Sequence, residues 1–194
     1  MVRMLQETTE RCPENPAVIF DGKRITYKDL NRYVEALTRH LQKLGVVKGD
    51  KIAIMLGNCP EFVISYFAAL RMGAVAVTLN VMSTSYELQH LLGDSEARVL
   101  IAAEGLAKRF AAVRKELPLC RHLITTTGLK PGSPFYQIME NDGQPVLPPD
   151  LDEEDPAVMI SFPGPNFISC RGKMAFGTRG VSLISTASSR TIKS

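Results

Sequence analysis

Residues 46–80 read VVKGDKIAIMLGNCPEFVISYFAALRMGAVAVTLN, and this stretch decides the fold. Residues 51–56 are a short apolar run after Lys48-Gly49-Asp50 turn chemistry, as suits a buried strand. Asn58 is placed to cap a helix, Pro60 suits its first turn, and Glu61 complements the N-terminal dipole. Phe62, Val63, Tyr66, Phe67 and Leu70 share one helical face, and Gly73 closes the helix. Residues 74–79 are a second apolar run. A right-handed crossover makes the two strands parallel. None of these residues forms an obvious catalytic set.

The flanking sequence extends the same pattern. Met1, Leu5, Thr8 and Cys12 are spaced for one face of a short helix that Pro13 and Pro16 end. Residues 17–20 and 24–25 flank Asp21-Gly22, a two-residue hairpin signal. Thr26 with Asp29 resembles a capping box. The spacing of Leu30, Tyr33, Val34, Leu37, Leu41 and Leu44 then predicts a long amphipathic helix ending at Gly45. Its charged face (Arg32, Glu35, Arg39, Lys43) is most simply solvated.

Downstream, Thr84 and Glu87 form a second capping box, opening a helix through Leu88, Leu91 and Leu92. Residues 97–102 read as a strand, 106–117 as a helix stopped by Pro118, and 122–126 as a strand. Residues 131–151 are rich in Pro, Gly and Asp and read as a surface loop holding one short helix near 136–139. Residues 157–160 are the last apolar run. Strands alternating with helices predict an α/β fold, a mostly parallel sheet flanked by helices.

Composition bounds the class. The chain has 194 residues, 45% hydrophobic and 22% charged, as expected of a soluble globular protein. No run approaches the roughly 20 apolar residues of a membrane span. The start, MVRMLQETTER, lacks the apolar core of a secretory signal, so a cytoplasmic location is expected. Cys12, Cys59, Cys120 and Cys170 form no C-x-x-C pair and read as reduced thiols.

Charge divides the chain unevenly. Five of the 23 Lys and Arg lie in residues 161–194 (Arg171, Lys173, Arg179, Arg190, Lys193), with no acid. That leaves 18 bases against all 20 acids before Ser161, a net charge of −2 there. The last 34 residues also hold seven serines and four glycines, with no helical period. Residues 1–160 are therefore expected to fold, and 161–194 to be a basic, Ser/Gly-rich tail, disordered or irregular. Ending the sheet near Ile160 would leave an open edge.

Self-contained chemistry is absent from the motifs. A dinucleotide site needs G-x-G-x-x-G at a strand-to-helix turn, and residues 56–60 offer only Gly57. Gly172-Lys173 is followed by Met174, with no glycine five residues earlier, so it is not a phosphate loop. His40, His90 and His122 lie far apart in the chain and read as surface or capped histidines. Glu61 is explained by the helix dipole, and the run Asp152-Glu153-Glu154-Asp155 by a solvated linker. Arg171, Lys173 and Arg179 with Phe167 and Phe176 are too thinly spread for nucleic-acid binding. The motifs accordingly offer no catalytic residue, no cofactor-binding residue and no metal ligand.

Taken together, NPAVIFDGKRITYKDLNRYVEALTRHLQKLGVVKGDKIAIMLGNCPEFVISYFAALRMGAVAVTLN, TSYELQHLLGDSEARVLIA and DPAVMI resemble the N-terminal part of the adenylate-forming enzymes, especially acyl-CoA synthetases (fatty-acid–CoA ligases). The match is collinear over about residues 1–160. Many relatives have Pro where Gly57 stands, a change a turn tolerates. The resemblance implies an incomplete N-terminal subdomain of the adenylate-forming fold. It also implies the family reaction, carboxylate adenylation by Mg-ATP followed by thioester formation with CoA.

The family's phosphate loop, Thr-Ser-Gly-Thr-Thr-Gly-x-Pro-Lys-Gly, follows the strand matched by residues 155–160. Here the sequence continues Ser161-Phe162-Pro163-Gly164-Pro165-Asn166-Phe167-Ile168-Ser169-Cys170-Arg171. Gly164 is in place; the threonines and the lysine are not. The resemblance therefore assigns no catalytic, cofactor or metal residue, and no ATP, Mg or CoA is expected to bind this chain. The expected function is a truncated acyl-CoA synthetase-like protein, inactive alone. The alternative is a non-enzymatic regulatory module, self-associating or docking on a full-length relative through exposed apolar surface, with no nucleic-acid partner.

The resemblance and the change of composition end together near Ile160. Residues from about 161 are accordingly expected to be a foreign tail, from a frameshift, an altered splice or a gene-model error. Translating the coding DNA beyond the Ile160 codon in the other two frames is expected to yield a Thr/Ser/Gly-rich loop ending in Lys-Gly. If neither frame does, the frameshift origin is wrong.

Overall fold

Strands of the central apolar runs are buried on both faces, so helices must cover both sides of the sheet. The structure, a computed structural model, describes residues 2–141, 143–144, 149–150, 155–161 and 167–171. In chain order the elements are α1 (Val2–Arg11), β1 (Pro16–Phe20), β2 (Lys23–Thr26), α2 (Tyr27–Lys43), β3 (Lys51–Met55), α3 (Pro60–Arg71) and β4 (Val75–Thr78). They continue with α4 (Ser85–Ser95), β5 (Ala97–Ala103), α5 (Ala107–Val113), β6 (His122–Thr126), α6 (Pro134–Met139), β7 (Pro156–Ser161) and β8 (Phe167–Arg171).

The sheet order is β6-β5-β3-β4-β7-β8, with β1 and β2 as a separate hairpin. β3 pairs in parallel with β4 and β5, β5 with β6, and β4 with β7. β8 runs antiparallel to β7. One core layer joins α1, α2, α3 and α6 to the face carrying Ile52, Ile54, Ala76, Val99 and Ile101. The other joins α4 and α5 to the face carrying Ala53, Met55, Val77, Leu100 and Ala102. Alternate residues of each strand thus feed opposite layers, as the pleat requires.

Local chemistry explains the element ends. Asp21 and Gly22 both take positive φ, at 50° and 71°, which gives the hairpin its tight two-residue turn. Thr26 accepts the Asp29 amide at 3.1 Å as the N-cap of α2. Thr84 and Glu87 complete a reciprocal capping box on α4. Gly45 and Gly73, with φ of 80° and 67°, turn the chain after α2 and α3, where a Cβ would be strained.

Three expectations need correction. The N-cap of α3 is Cys59, not Asn58, and Cys59 makes no side-chain capping bond. Pro60 sits at the helix start, which places the cap on the residue before it. The helix expected over 106–117 is broken: α5 is flanked by 3-10 turns at Glu104–Leu106 and Arg114–Glu116. Tightened single turns of this kind are common at helix ends.

The third correction concerns the sheet edge. β7 is not open, because β8 pairs along it from Pro156↔Arg171 to Ser161↔Phe167. Part of the segment expected to be irregular is therefore strand. Residues 162–166 and 172–194 lie outside the described residues.

Two polar clasps tie neighbouring elements together. The Arg71 guanidinium, almost fully buried at the end of α3, donates to Asn31 Oδ1 and Glu35 Oε1 of α2, each at 2.9 Å. Glu35, expected on a solvated face, is drawn into this pair. Lys48, before β3, reaches Asp155 Oδ2 at 2.6 Å and the Asp150 carbonyl at 2.7 Å, holding the start of β7.

Ile54 is wholly buried in β3 against the helices of the first layer. Ile54→Ala is expected to lower unfolding stability by about 2–5 kcal/mol, read from the urea midpoint at constant m-value.

Candidate functional site

Ligands of open parallel sheets bind at the carboxyl ends of the strands, where neighbouring connections leave for opposite faces. β3 leads into α3 on one face, and β4 into α4 on the other. Their carboxyl ends therefore diverge, and the candidate site is this edge. It is formed by Gly57 and Asn58 after β3, residues 80–83 after β4, and Thr126 to Gly128 after β6.

The side chains there are mostly committed to shaping loops. Arg109 of α5 donates from one Nη to the carbonyls of Val81 and Ser83, at 2.7 and 2.8 Å, and so pins the loop after β4. Asn80 Oδ1 accepts the Met82 amide at 2.9 Å, and Thr126 Oγ1 accepts the Gly128 amide at 3.0 Å. Met82 and Tyr86 project outward, 75% and 70% exposed. A Cβ on Gly57 would meet nothing within 4 Å, and its φ is not positive. Neither the packing of the protein itself nor backbone strain demands a glycine at 57.

Glu61 is buried, at 3% exposure, in the first turn of α3. It receives the Cys59 thiol as a hydrogen-bond partner. Burial first, and that bond second, push the Cys59 thiol up to about 11. Burial likewise pushes Cys120 up to about 12. Both remain protonated at neutral pH, so neither is an activated nucleophile. Among the described residues no group of His, Cys, Asp or Glu has the geometry of a metal site.

The structure joins some candidates and separates others. His90 lies on α4 edge-on to Tyr86, with ring centroids 4.5 Å apart. His40 of α2 and His122 of β6, distant in the chain, come close enough for His122 to disfavour protonation of His40. Burial is the larger cause, with Lys43 next, and together they lower His40 below its ordinary 6.5. Asp155 belongs to the Lys48 clasp; residues 151–154 lie outside the described residues. Phe167 and Arg171 are part of β8, whereas Lys173, Phe176 and Arg179 also lie outside. The hydroxyls of Thr125 to Thr127 at the carboxyl end of β6 were legible as a Thr run but became noteworthy only once β6 was placed in the sheet.

A depression of about 230 Å³ lies at the opposite, amino edge, lined by Leu44, Gly45, Val46, Arg98, Leu119, Arg121 and His122. It is remote from the ends of β3 and β4 where the fold would hold a nucleotide.

The sequence profile of the AMP-binding enzyme family matches residues 5–160. The chain belongs to that family. A long-chain-fatty-acid–CoA ligase of Bacillus subtilis is 34% identical over 124 residues, covering 64% of this chain and 22% of the ligase. A 2-succinylbenzoate–CoA ligase of Oceanobacillus iheyensis is 39% identical over 114 residues, covering 58% of this chain and 24% of that one.

Solved structures agree on the fold. An anthranilate CoA ligase in complex with anthranoyl-AMP superposes with a TM-score of 0.80 at 21% identity, covering 88% of this chain and 33% of the ligase. A fatty acyl CoA synthetase of Mycobacterium tuberculosis gives 0.77 at 22% identity, covering 88% and 34%. The chain thus spans about a quarter or less of these two curated relatives and about a third of these two solved chains.

His40 yields a pH prediction. Its folded-state value lies below the unfolded one, so the unfolded chain takes up the proton first and stability falls as pH drops through 6.5. The urea midpoint is expected to decline between about pH 7.5 and about pH 5, and His40→Gln to flatten that decline.

Proposed function

We propose that residues 1–160 are the N-terminal scaffold of an ATP-dependent acyl-CoA ligase, and that this 194-residue chain does not itself adenylate a carboxylate. Support for the ligase class comes from the CoA-ligase relatives and from the family match that ends at residue 160. The single observation behind the inactivity is the sequence after β7. Neither a threonine nor a lysine lies between Ser161 and Arg171, and the first lysine after β7 is Lys173.

Adenylation places developing negative charge on the α-phosphate. Backbone amides, hydroxyls and a lysine aimed at that charge would stabilise it, and leaving it uncompensated removes the largest single catalytic contribution. At the carboxyl edge, the Arg109 guanidinium is spent on the loop after β4. ATP, Mg and CoA are on this reading ligands of the family rather than of this chain. A cytoplasmic location is part of the same proposal; among the described residues no helix is long and apolar enough to cross a membrane.

The purified chain, assayed for carboxylate-dependent ATP–pyrophosphate exchange with short, medium and long fatty acids, is expected to match the no-protein control. Exchange that depends on added carboxylate would overturn the inactivity. Saturable heat of ATP binding in calorimetry would overturn the absence of a nucleotide site.

A further inference from the structure

The depression at the amino edge is built from three separate parts of the chain. Leu44, Gly45 and Val46 come from the turn between α2 and β3, Arg98 from the start of β5, and Leu119, Arg121 and His122 from the approach to β6. Arg98 stands on β5 and Arg121 immediately before the neighbouring β6, and the Arg121 amide donates to the Arg98 carbonyl at 3.1 Å. Their spacing is therefore set by the sheet and not by flexible loops.

Cations outnumber anions around it. Lys43, in the last turn of α2, approaches from the side, next to His40, whose protonation burial, Lys43 and His122 all disfavour. Asp50 is already engaged: Oδ1 lies 3.0 Å from Arg98 Nε, and Oδ2 accepts the Val47 amide at 2.9 Å. The carbonyls at the end of α2 are taken as well. Leu44, Gly45 and Val46 donate to His40, Gln42 and Leu41 respectively. Nothing among the described residues pairs with the Arg121 guanidinium. Its backbone carbonyl is held by Arg114 Nη at 3.3 Å, so the strand start is fixed while the side-chain fork is unspent.

We infer that this depression binds a small organic carboxylate, with its charge on Arg121 beside Arg98 and its short apolar tail against Leu44 and Leu119. A guanidinium fork matches a carboxylate with two parallel hydrogen bonds. Leu119, 47% exposed, provides apolar surface at the rim, and Val46 is buried behind it. Asp50 argues against a phosphate dianion, which would meet a carboxylate beside Arg98, and favours a monoanion. The volume of about 230 Å³ suits a short chain. The site stands independently of the adenylation reading, because it lies at the other end of the strands.

The test is titration of the isotope-labelled 194-residue chain with sodium butyrate, with inorganic phosphate and acetate as separate arms. Saturable shifts are expected at the amides of Val46, Arg98 and His122, with butyrate bound more tightly than acetate or phosphate. Arg121→Gln is expected to weaken butyrate by about tenfold, the loss of one charge-assisted pair, while distant amides stay unmoved. Leu119→Asp leaves both arginines intact and places a carboxylate on the rim; it is expected to abolish binding. Three outcomes overturn the inference: no saturation with butyrate, unchanged affinity in both variants, or phosphate bound as tightly as butyrate.

Discussion

The structure depends on the double burial of β3. Ile52, Ala53, Ile54 and Met55 are each wholly inaccessible, two facing each core layer. Such a strand cannot lie at a surface, so the chain must supply helices to both faces and neighbours to both edges. α2 and α3 cover one face, α4 and α5 the other, and β4 and β5 flank the strand. The right-handed crossover through α3 then fixes which side β4 takes.

From that constraint follows the division between the two ends of the sheet. At the carboxyl edge the connections diverge, which is the geometry a nucleotide-binding fold uses, yet the polar side chains there are spent on loop shape. Arg109 illustrates it, with both of its hydrogen bonds given to carbonyls of the loop after β4. At the amino edge the turns are short and bring Arg98, Arg121 and His122 together, with Arg98 paired to Asp50 and the Arg121 guanidinium without a partner among the described residues. The two ends of the sheet thus differ in how far their polar side chains are committed to the chain's own loops.

Most of the architecture was legible because period and punctuation agreed. The strand over 122–126, the hairpin at Asp21-Gly22 and the box at Thr84 and Glu87 all appear where local chemistry places them. The failures have local causes too. Asn58 is a better capping residue than Cys59, but Pro60 fixes the helix start and overrides that preference. Residues 106–117 carry helical spacing, which does not distinguish a continuous helix from one with 3-10 ends. The pairing of β8 with β7 was invisible, because residues 167–171 have no alternating pattern and gain their strand only from the neighbour.

By itself the sequence determined the fold class, the order of elements and the family, since these rest on apolar period, caps and collinear motifs. Tertiary structure alone decided which distant side chains meet. Glu35 and Arg71 are a buried pair because α2 and α3 cross there, and no spacing within either helix announces it. The two arginines at the amino edge are likewise neighbours only through the parallel pairing of β5 with β6, and His40 of α2 comes near His122 of β6 only in the folded chain.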